Sequence, residues 1–182
     1  MRTLTIRTLA IAAVGLSSLL HHAFAAGANA PIASYGEIVP LPGAGVQPSA
    51  AIEYRAVFDL TKPADDPASP LPGLVQLAKA VNLFAFAGTP LSHLRLIAVI
   101  HSDATTAVLD EQHYQQAYQR PNPNLPLIAQ LRQAGVQVHV CGQALHEHKI
   151  DHQAVASDVQ IDLSALTTII GYGVNGYPVL SR

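Results

Sequence analysis

Apolar and polar positions follow two periods along the chain from residue 52 onward. Short runs that alternate, or that are apolar throughout, predict strands at residues 52–60, 94–101, 136–141, 158–161 and 177–180. The segments between them predict helices at residues 74–88, 110–118, 125–135, 143–149 and 164–176. Strands that are separated by helices, with apolar central strands, indicate a parallel sheet between helix layers.

The N-terminus has the three-part pattern of a secretory signal peptide. Arg2 and Arg7 precede an uncharged apolar run at residues 9–20, and small residues lead to a cleavage point after Ala25. The apolar run is too short to span a bilayer as a helix, and no later segment is long enough either. We therefore predict that residues 1–25 are removed, that no segment spans a membrane, and that the mature protein is exported, to the periplasm or an equivalent compartment.

Removal of that segment leaves 157 residues, which is the usual size of one domain. Residues 26–50 are rich in Ala, Gly and Pro without a sustained period, so we predict an extended arm that acts as a tether before a domain at residues 51–182. The mature chain has 8 basic and 12 acidic residues, a formal charge of −4. That balance argues against a nucleic-acid-binding surface.

Cys141 is the only cysteine of the chain, so no internal disulfide can form. It lies where the third predicted strand meets a helix, and open parallel sheets bind ligands at that edge. The helix start favours the thiolate form, and Gly142 allows a tight turn and a close approach. Alternatively, Cys141 is a buried and inert residue at a strand end. The Gln143 side chain points either to a ligand pocket at this edge or to solvent. The sequence decides neither this question nor whether Cys141 is reactive or inert.

Polar residues of other segments are predicted at the same edge. His101 follows the second strand and is a candidate proton carrier or ligand contact. Ser102 or Asp103 is equally well explained as the cap of the next helix. The run from Asn122 to Asn124 is explained as a rigid turn, with Asn124 capping the helix that follows.

Four histidines cluster in the sequence and raise the possibility of a metal site: His139, His146, His148 and His152. Their spacing matches no established ligand pattern, because neighbouring members point in different directions on a strand or helix. We therefore predict surface histidines and no metal.

Several motifs carry a resemblance to a known family. The stretches HSDAT, NPNLPLIAQLRQAGVQVHVCGQAL, DVQIDLSALTTII and GYPVL resemble the DsrE/DsrF-like family, in particular its exported single-domain members. The resemblance runs from about residue 52 to the end. It implies an α/β fold: a three-layer α/β/α sandwich with a five-stranded, mainly parallel sheet in the order 4-3-2-1-5. It also implies homotrimers or homohexamers, and places His101 and Cys141 at adjacent strand ends.

The resemblance also implies a chemistry. Cytoplasmic relatives relay sulfur through a cysteine at the matching junction, which implies that Cys141 carries a persulfide between a donor and an acceptor protein, with His101 as its proton carrier and without a cofactor. The alternative is a module that binds a small ligand or only assembles, without catalysis. In either case the expected ligand contacts are Asp103, Asn122, Asn124, Gly142 and Gln143.

Overall fold

The computed structural model describes residues 30–181. The predicted signal peptide and its cleavage point lie outside the described residues. The strands are Tyr54–Leu60 (β1), Leu94–Ile100 (β2), Gln137–Cys141 (β3), Gln160–Asp162 (β4) and Val179–Ser181 (β5). The helices are Pro72–Phe86 (α1), Glu111–Tyr118 (α2), Leu125–Gln133 (α3), Gly142–Glu147 (α4) and Ala165–Val174 (α5), and short 3-10 helices cover Leu91–His93, Ser102–Val108 and His152–Ala154.

The five strands form one parallel sheet in the order β4-β3-β2-β1-β5. This confirms the predicted α/β fold class and strand order. Ile100 at the end of β2 is in register with Leu60 on β1 and with Val140 on β3. The carboxyl ends of the three central strands therefore meet at one edge of the sheet.

Local chemistry explains where several helices begin and end. Pro72 stands at the start of α1, where its missing N–H costs no hydrogen bond. Asp110 and Ser164 cap α2 and α5 by accepting hydrogen bonds from backbone N–H groups inside the first turn. Gly135 follows α3 with a φ of 90°, a left-handed conformation that favours glycine.

The two faces of the sheet are covered differently. Alternate residues of β1 separate into two clusters: Phe58 and Leu60 join a large core under α1 and α3, whereas Val57 joins a small cluster under α5. The large core also receives buried leucines from both helices, including Leu77 and Leu131. The small cluster on the face that contains Val57 is covered by the ten-residue helix α5, and α4 adds one alanine, Ala144.

The segment before the domain is more than a tether. Residues 30–50 contain no helix or strand, as expected of an extended arm. However, Ile32 is completely buried in the large core, and the Asn82 side chain hydrogen-bonds the backbone of Ile32, Tyr35 and Gly36. The expectation of a free tether is therefore wrong for residues 30–36. Ile32 is a single buried residue in this segment, and one residue cannot create a periodic apolar pattern. The sequence pattern therefore gave no sign of this packing.

Over the described range, residues 30–181, we find no helix with the length and apolar content that a bilayer crossing needs.

Candidate functional site

The polar side chains of the carboxyl edge lie mostly on the α5 face. Side chains alternate along a strand, so His139 and Cys141 on β3 point to the same face as Val57. Cys141 is in register with Asp162 on β4. Asp59 lies two residues beyond Val57 on β1, and His101 directly follows β2. Parallel strands thus bring two imidazoles, a thiol and two carboxylates to one side of the sheet near this edge.

Cys141 is buried at the end of β3. Its exposed fraction is 6%, and it packs in the small cluster with Ile97, Ala144 and Ala165. Its Sγ accepts a hydrogen bond from the backbone N–H of Ala144, at 3.4 Å, as the first residue before α4. The hydrogen bond holds the sulfur at the start of α4, while burial limits access to it. The helix-start position of Cys141 agrees with the reactive alternative, and its burial agrees with the inert one.

Gly142 and Gln143 contact the segment that follows β4. A Cβ on Gly142 would lie 2.8 Å from the carbonyl oxygen of Asp162, so only glycine fits where α4 passes this strand end. The Gln143 side chain donates to the carbonyl oxygen of Leu163 at 3.2 Å. Both residues hold α4 against β4.

His101 has a defined partner on each ring nitrogen. Nε2 lies 2.6 Å from Oδ1 of Asp59, and Nδ1 lies 3.1 Å from the hydroxyl of Ser102. The backbone N–H of His101 donates to the carbonyl oxygen of Leu60, which continues the ladder between β1 and β2. His101 therefore lies directly after the end of β2 and beside the end of β3. Its ring is directed at Asp59 and Ser102.

Asp103 is exposed and lies in the 3-10 helix Ser102–Val108. Neither Ser102 nor Asp103 caps the next α-helix, because Asp110 does so, and that prediction is wrong. Hydrogen bonds from the backbone and side chain of His113 hold the pKa of Asp110 below its usual range, and burial opposes them in part. Asp103 instead borders a cavity of about 60 Å³ between α2 and the loop that follows β1.

Asn122 and Asn124 are buried and hydrogen-bonded within the fold. The Asn122 amide donates to the carbonyl oxygens of Ala107 and Leu109, and its Oδ1 accepts from the backbone and side chain of Asn124. Asn124 precedes α3 as predicted, but its side chain does not cap that helix. Its Oδ1 accepts from the backbone N–H of Leu71 at 2.7 Å and so joins α3 to the start of α1.

Sequence reasoning missed the pair formed by His139 and Asp162. His139 was expected at the surface, but its exposed fraction is 3%. Its Nδ1 lies 2.7 Å from Oδ2 of Asp162, which also accepts from Thr168, while Oδ1 accepts from Gln160. The only sequence signal was that His139 lies two positions before Cys141 and so shares its face. The other three histidines of the sequence cluster are exposed, as predicted: His146, His148 and His152.

This pair lies at the floor of an open cleft between β4 and α5, with a volume of about 440 Å³. Tyr172 lines the cleft, and its hydroxyl donates to Oε1 of Gln137 at 3.3 Å. Burial, with smaller effects from Asp162 and Tyr177, raises the pKa of Tyr172, so its hydroxyl stays protonated. Within residues 30–181, no group of three or more His, Cys, Asp or Glu side chains is arranged to hold a metal ion.

Comparisons with known proteins agree with this architecture. The sequence profile described as the DsrE/DsrF-like family matches residues 55–181, which is more than half of the chain. The chain belongs to the DsrE/DsrF-like family. Its fold is similar to that of MTH1491 from Methanobacterium thermoautotrophicum, a solved protein of unknown function, with a TM-score of 0.52 and 19% identity over 71% of this chain and 99% of the other. No curated protein matches the chain significantly.

Proposed function

We propose that this DsrE/DsrF-like protein carries sulfane sulfur on Cys141. The observation that carries the proposal is the position of the thiol: it ends β3 at the ligand-binding edge of a parallel sheet and accepts a hydrogen bond from Ala144. Family membership adds a sulfur-relay-related fold. The hydrogen bond from Ala144 fixes the position of the sulfur at the start of α4.

The proposed step is a thiol exchange. The Cys141 thiolate attacks the outer sulfur of a donor persulfide, R–S–SH, and a new S–S bond forms while the donor S–S bond breaks. The electron pair of the broken bond leaves with the donor as its thiolate. Cys141 then holds a persulfide, and an acceptor thiolate removes the outer sulfur in the same way. No net oxidation or reduction takes place.

His101 is the proposed proton carrier for this exchange. It follows β2 beside the end of β3, and its imidazole and the Asp59 carboxylate are partly exposed, at 23% and 19% of their side-chain surface. An imidazole with this access can exchange protons with solvent and with a leaving thiol.

The protein is further proposed to act after export, as a homotrimer or homohexamer that exchanges sulfur with donor and acceptor proteins. Residues 1–25 have the pattern of a signal peptide, which supports export. The outer side of α5 exposes Leu166, Ile170 and Val174 on one stripe, and such a stripe is typical of a covered surface in an assembly.

A second candidate function is a module that binds a small ligand or assembles without thiol chemistry. Two observations favour it: Cys141 is only 6% exposed, and the cleft of about 440 Å³ has its own polar floor in His139 and Asp162. A non-catalytic binder needs the cleft and no reactive sulfur.

Mass spectrometry of the mature protein after incubation with polysulfide separates the two functions. A carrier gains about 32 Da, the mass of one sulfur, on the peptide that contains Cys141. The same thiol should react with iodoacetamide at neutral pH in the folded state. Cys141→Ser should abolish both signals and leave the circular dichroism spectrum unchanged. If the thiol reacts only after denaturation, the carrier function is wrong and the binding module replaces it.

A further inference from the structure

A second group of side chains at the carboxyl edge has the arrangement of an activated serine. Oδ1 of Asp59 lies 2.6 Å from Nε2 of His101, and Nδ1 of the same ring lies 3.1 Å from Oγ of Ser102. A nucleophile within hydrogen-bond reach of a base, which is oriented in turn by a third group, is the general geometry of nucleophilic catalysis by serine. The three groups form a continuous chain from carboxylate to hydroxyl.

The direction of each hydrogen bond follows from the chemistry of the partners. An ionised carboxylate only accepts, so Nε2 of His101 carries the proton that it donates to Asp59. In the neutral ring Nδ1 is then the acceptor, and the Ser102 hydroxyl donates to it. In this neutral tautomer the Ser102 proton points at the nitrogen that would remove it.

The backbone of Ser102 is held in a conformation that few serines adopt. Its φ is 53°, in the left-handed region, although it carries a Cβ. The fully buried Thr105 donates its hydroxyl to the Ser102 carbonyl oxygen at 2.6 Å, which fixes this turn. Backbone strain that the surrounding fold maintains occurs preferentially at functional sites. Here it turns the exposed Ser102 back toward His101 at the junction of a strand and a 3-10 helix.

We propose that Ser102 is a nucleophile that accepts acyl groups from activated esters, with His101 as its base and Asp59 as the residue that positions His101. Ser102 is exposed, so an ester can reach its hydroxyl from solvent.

The proposed reaction needs only the ester and water as reactants. Oγ of Ser102 attacks the ester carbonyl carbon while its proton moves to Nδ1 of His101. The bond from the carbonyl carbon to the alcohol oxygen breaks, and His101 gives the proton to the leaving alkoxide. Water then attacks the acyl-serine with the same proton transfers, which releases the acid and restores Ser102.

This activity does not depend on the sulfur chemistry proposed for Cys141, although both would use His101. The two are separated in a Cys141→Ala background, in which residue 141 can no longer accept a sulfur atom, a label or an acyl group. Failure of the persulfide experiment leaves this inference intact, and failure of this inference leaves the carrier function intact.

The test is labelling of the mature Cys141→Ala protein with a fluorophosphonate, followed by peptide mass spectrometry, and turnover of p-nitrophenyl acetate. We expect the label on Ser102 in the folded state. His101→Gln should slow labelling roughly 100-fold or more, as expected for loss of a general base. Asp59→Asn should slow it roughly 10-fold or more, with a changed pH profile, because the ring loses the acceptor that fixes its tautomer.

Two variants serve as controls. Ser102→Ala should abolish labelling and burst release of p-nitrophenol, whereas Ser92→Ala, which removes another exposed serine, should change neither. Circular dichroism checks that each variant is folded. The inference is overturned if the folded protein is not labelled, if the label lies on another residue, or if His101→Gln labels as fast as the parent.

Discussion

The two faces of the sheet differ most where their strands end. At the carboxyl ends of the three central strands, the face under α1 and α3 carries Leu60, Ile100 and Val140. One residue away on the opposite face stand polar or reactive groups: Asp59, His101 and Cys141. The same strands therefore provide a closed apolar core on one side and a chemical site on the other.

This difference follows from how each face is covered. The first face is sealed by two helices and the arm residue Ile32, so a polar side chain there would lose its water without a partner. The second face is covered by α5 and by Ala144 of the short helix α4, and the cleft beside α5 remains open. Polar groups can be kept on the second face because neighbouring polar groups or water satisfy them.

The largest effect should come from a cavity in the sealed face. Leu77→Ala removes a completely buried side chain of α1, and we expect a loss of about 2–5 kcal/mol in the free energy of unfolding. Leu163→Ala makes the same chemical change at a residue that is 74% exposed beside the cleft, and it should cost less than about 0.5 kcal/mol. Urea unfolding of both variants measures the difference. Equal losses would contradict the contrast between the faces.

The next effect should come from the clamp between the arm and α1. Asn82→Ala removes four hydrogen bonds to the backbone of residues 32–36 and should cost about 2–4 kcal/mol. Limited proteolysis should then cut the arm, because Ile32 loses the contacts that hold it in the core.

Asn175→Ala is the matched control for this clamp, since it removes one exposed hydrogen bond at the end of α5. It should leave both stability and protease resistance unchanged. If Asn82→Ala behaves in the same way, the arm is a tether after all.

A smaller effect is expected from the polar network of the open face. Asp162→Ala removes the acceptor of His139, Thr168 and Gln160, and should cost roughly 1–3 kcal/mol. The loss should be at the low end of this range because water in the cleft can replace the carboxylate. Asp158→Ala, at an exposed position before β4, should be neutral in the same thermal unfolding experiment. A loss as large as that of Leu77→Ala would mean that this face is as closed as the other.

The sequence predicted the features that depend on residues close together along the chain. The five strands, the five helices and the junction of Cys141 with α4 follow from local period and stop signals. The strand order came from the family resemblance. The packing of Ile32 on Asn82 and the pairing of His139 with Asp162 join residues 50 and 23 positions apart, and no local pattern encodes them. Asn124 shows the same limit, since its side chain accepts from Leu71, 53 positions away, instead of from its own helix.

The smallest effect on the fold, and the most informative for assembly, should come from the outer stripe of α5. Leu166 and Ile170 are 70% and 56% exposed and contribute little to the core, so Leu166→Ser with Ile170→Ser should leave the circular dichroism spectrum unchanged. If this stripe is covered by neighbouring subunits, the double variant should have a lower mass than the wild type in light scattering at micromolar concentration. Leu83→Ser, at a 41% exposed apolar position on α1, should keep the wild-type mass. A wild-type monomer would remove the proposed trimer or hexamer, and a double variant with unchanged mass would place its interface on another surface.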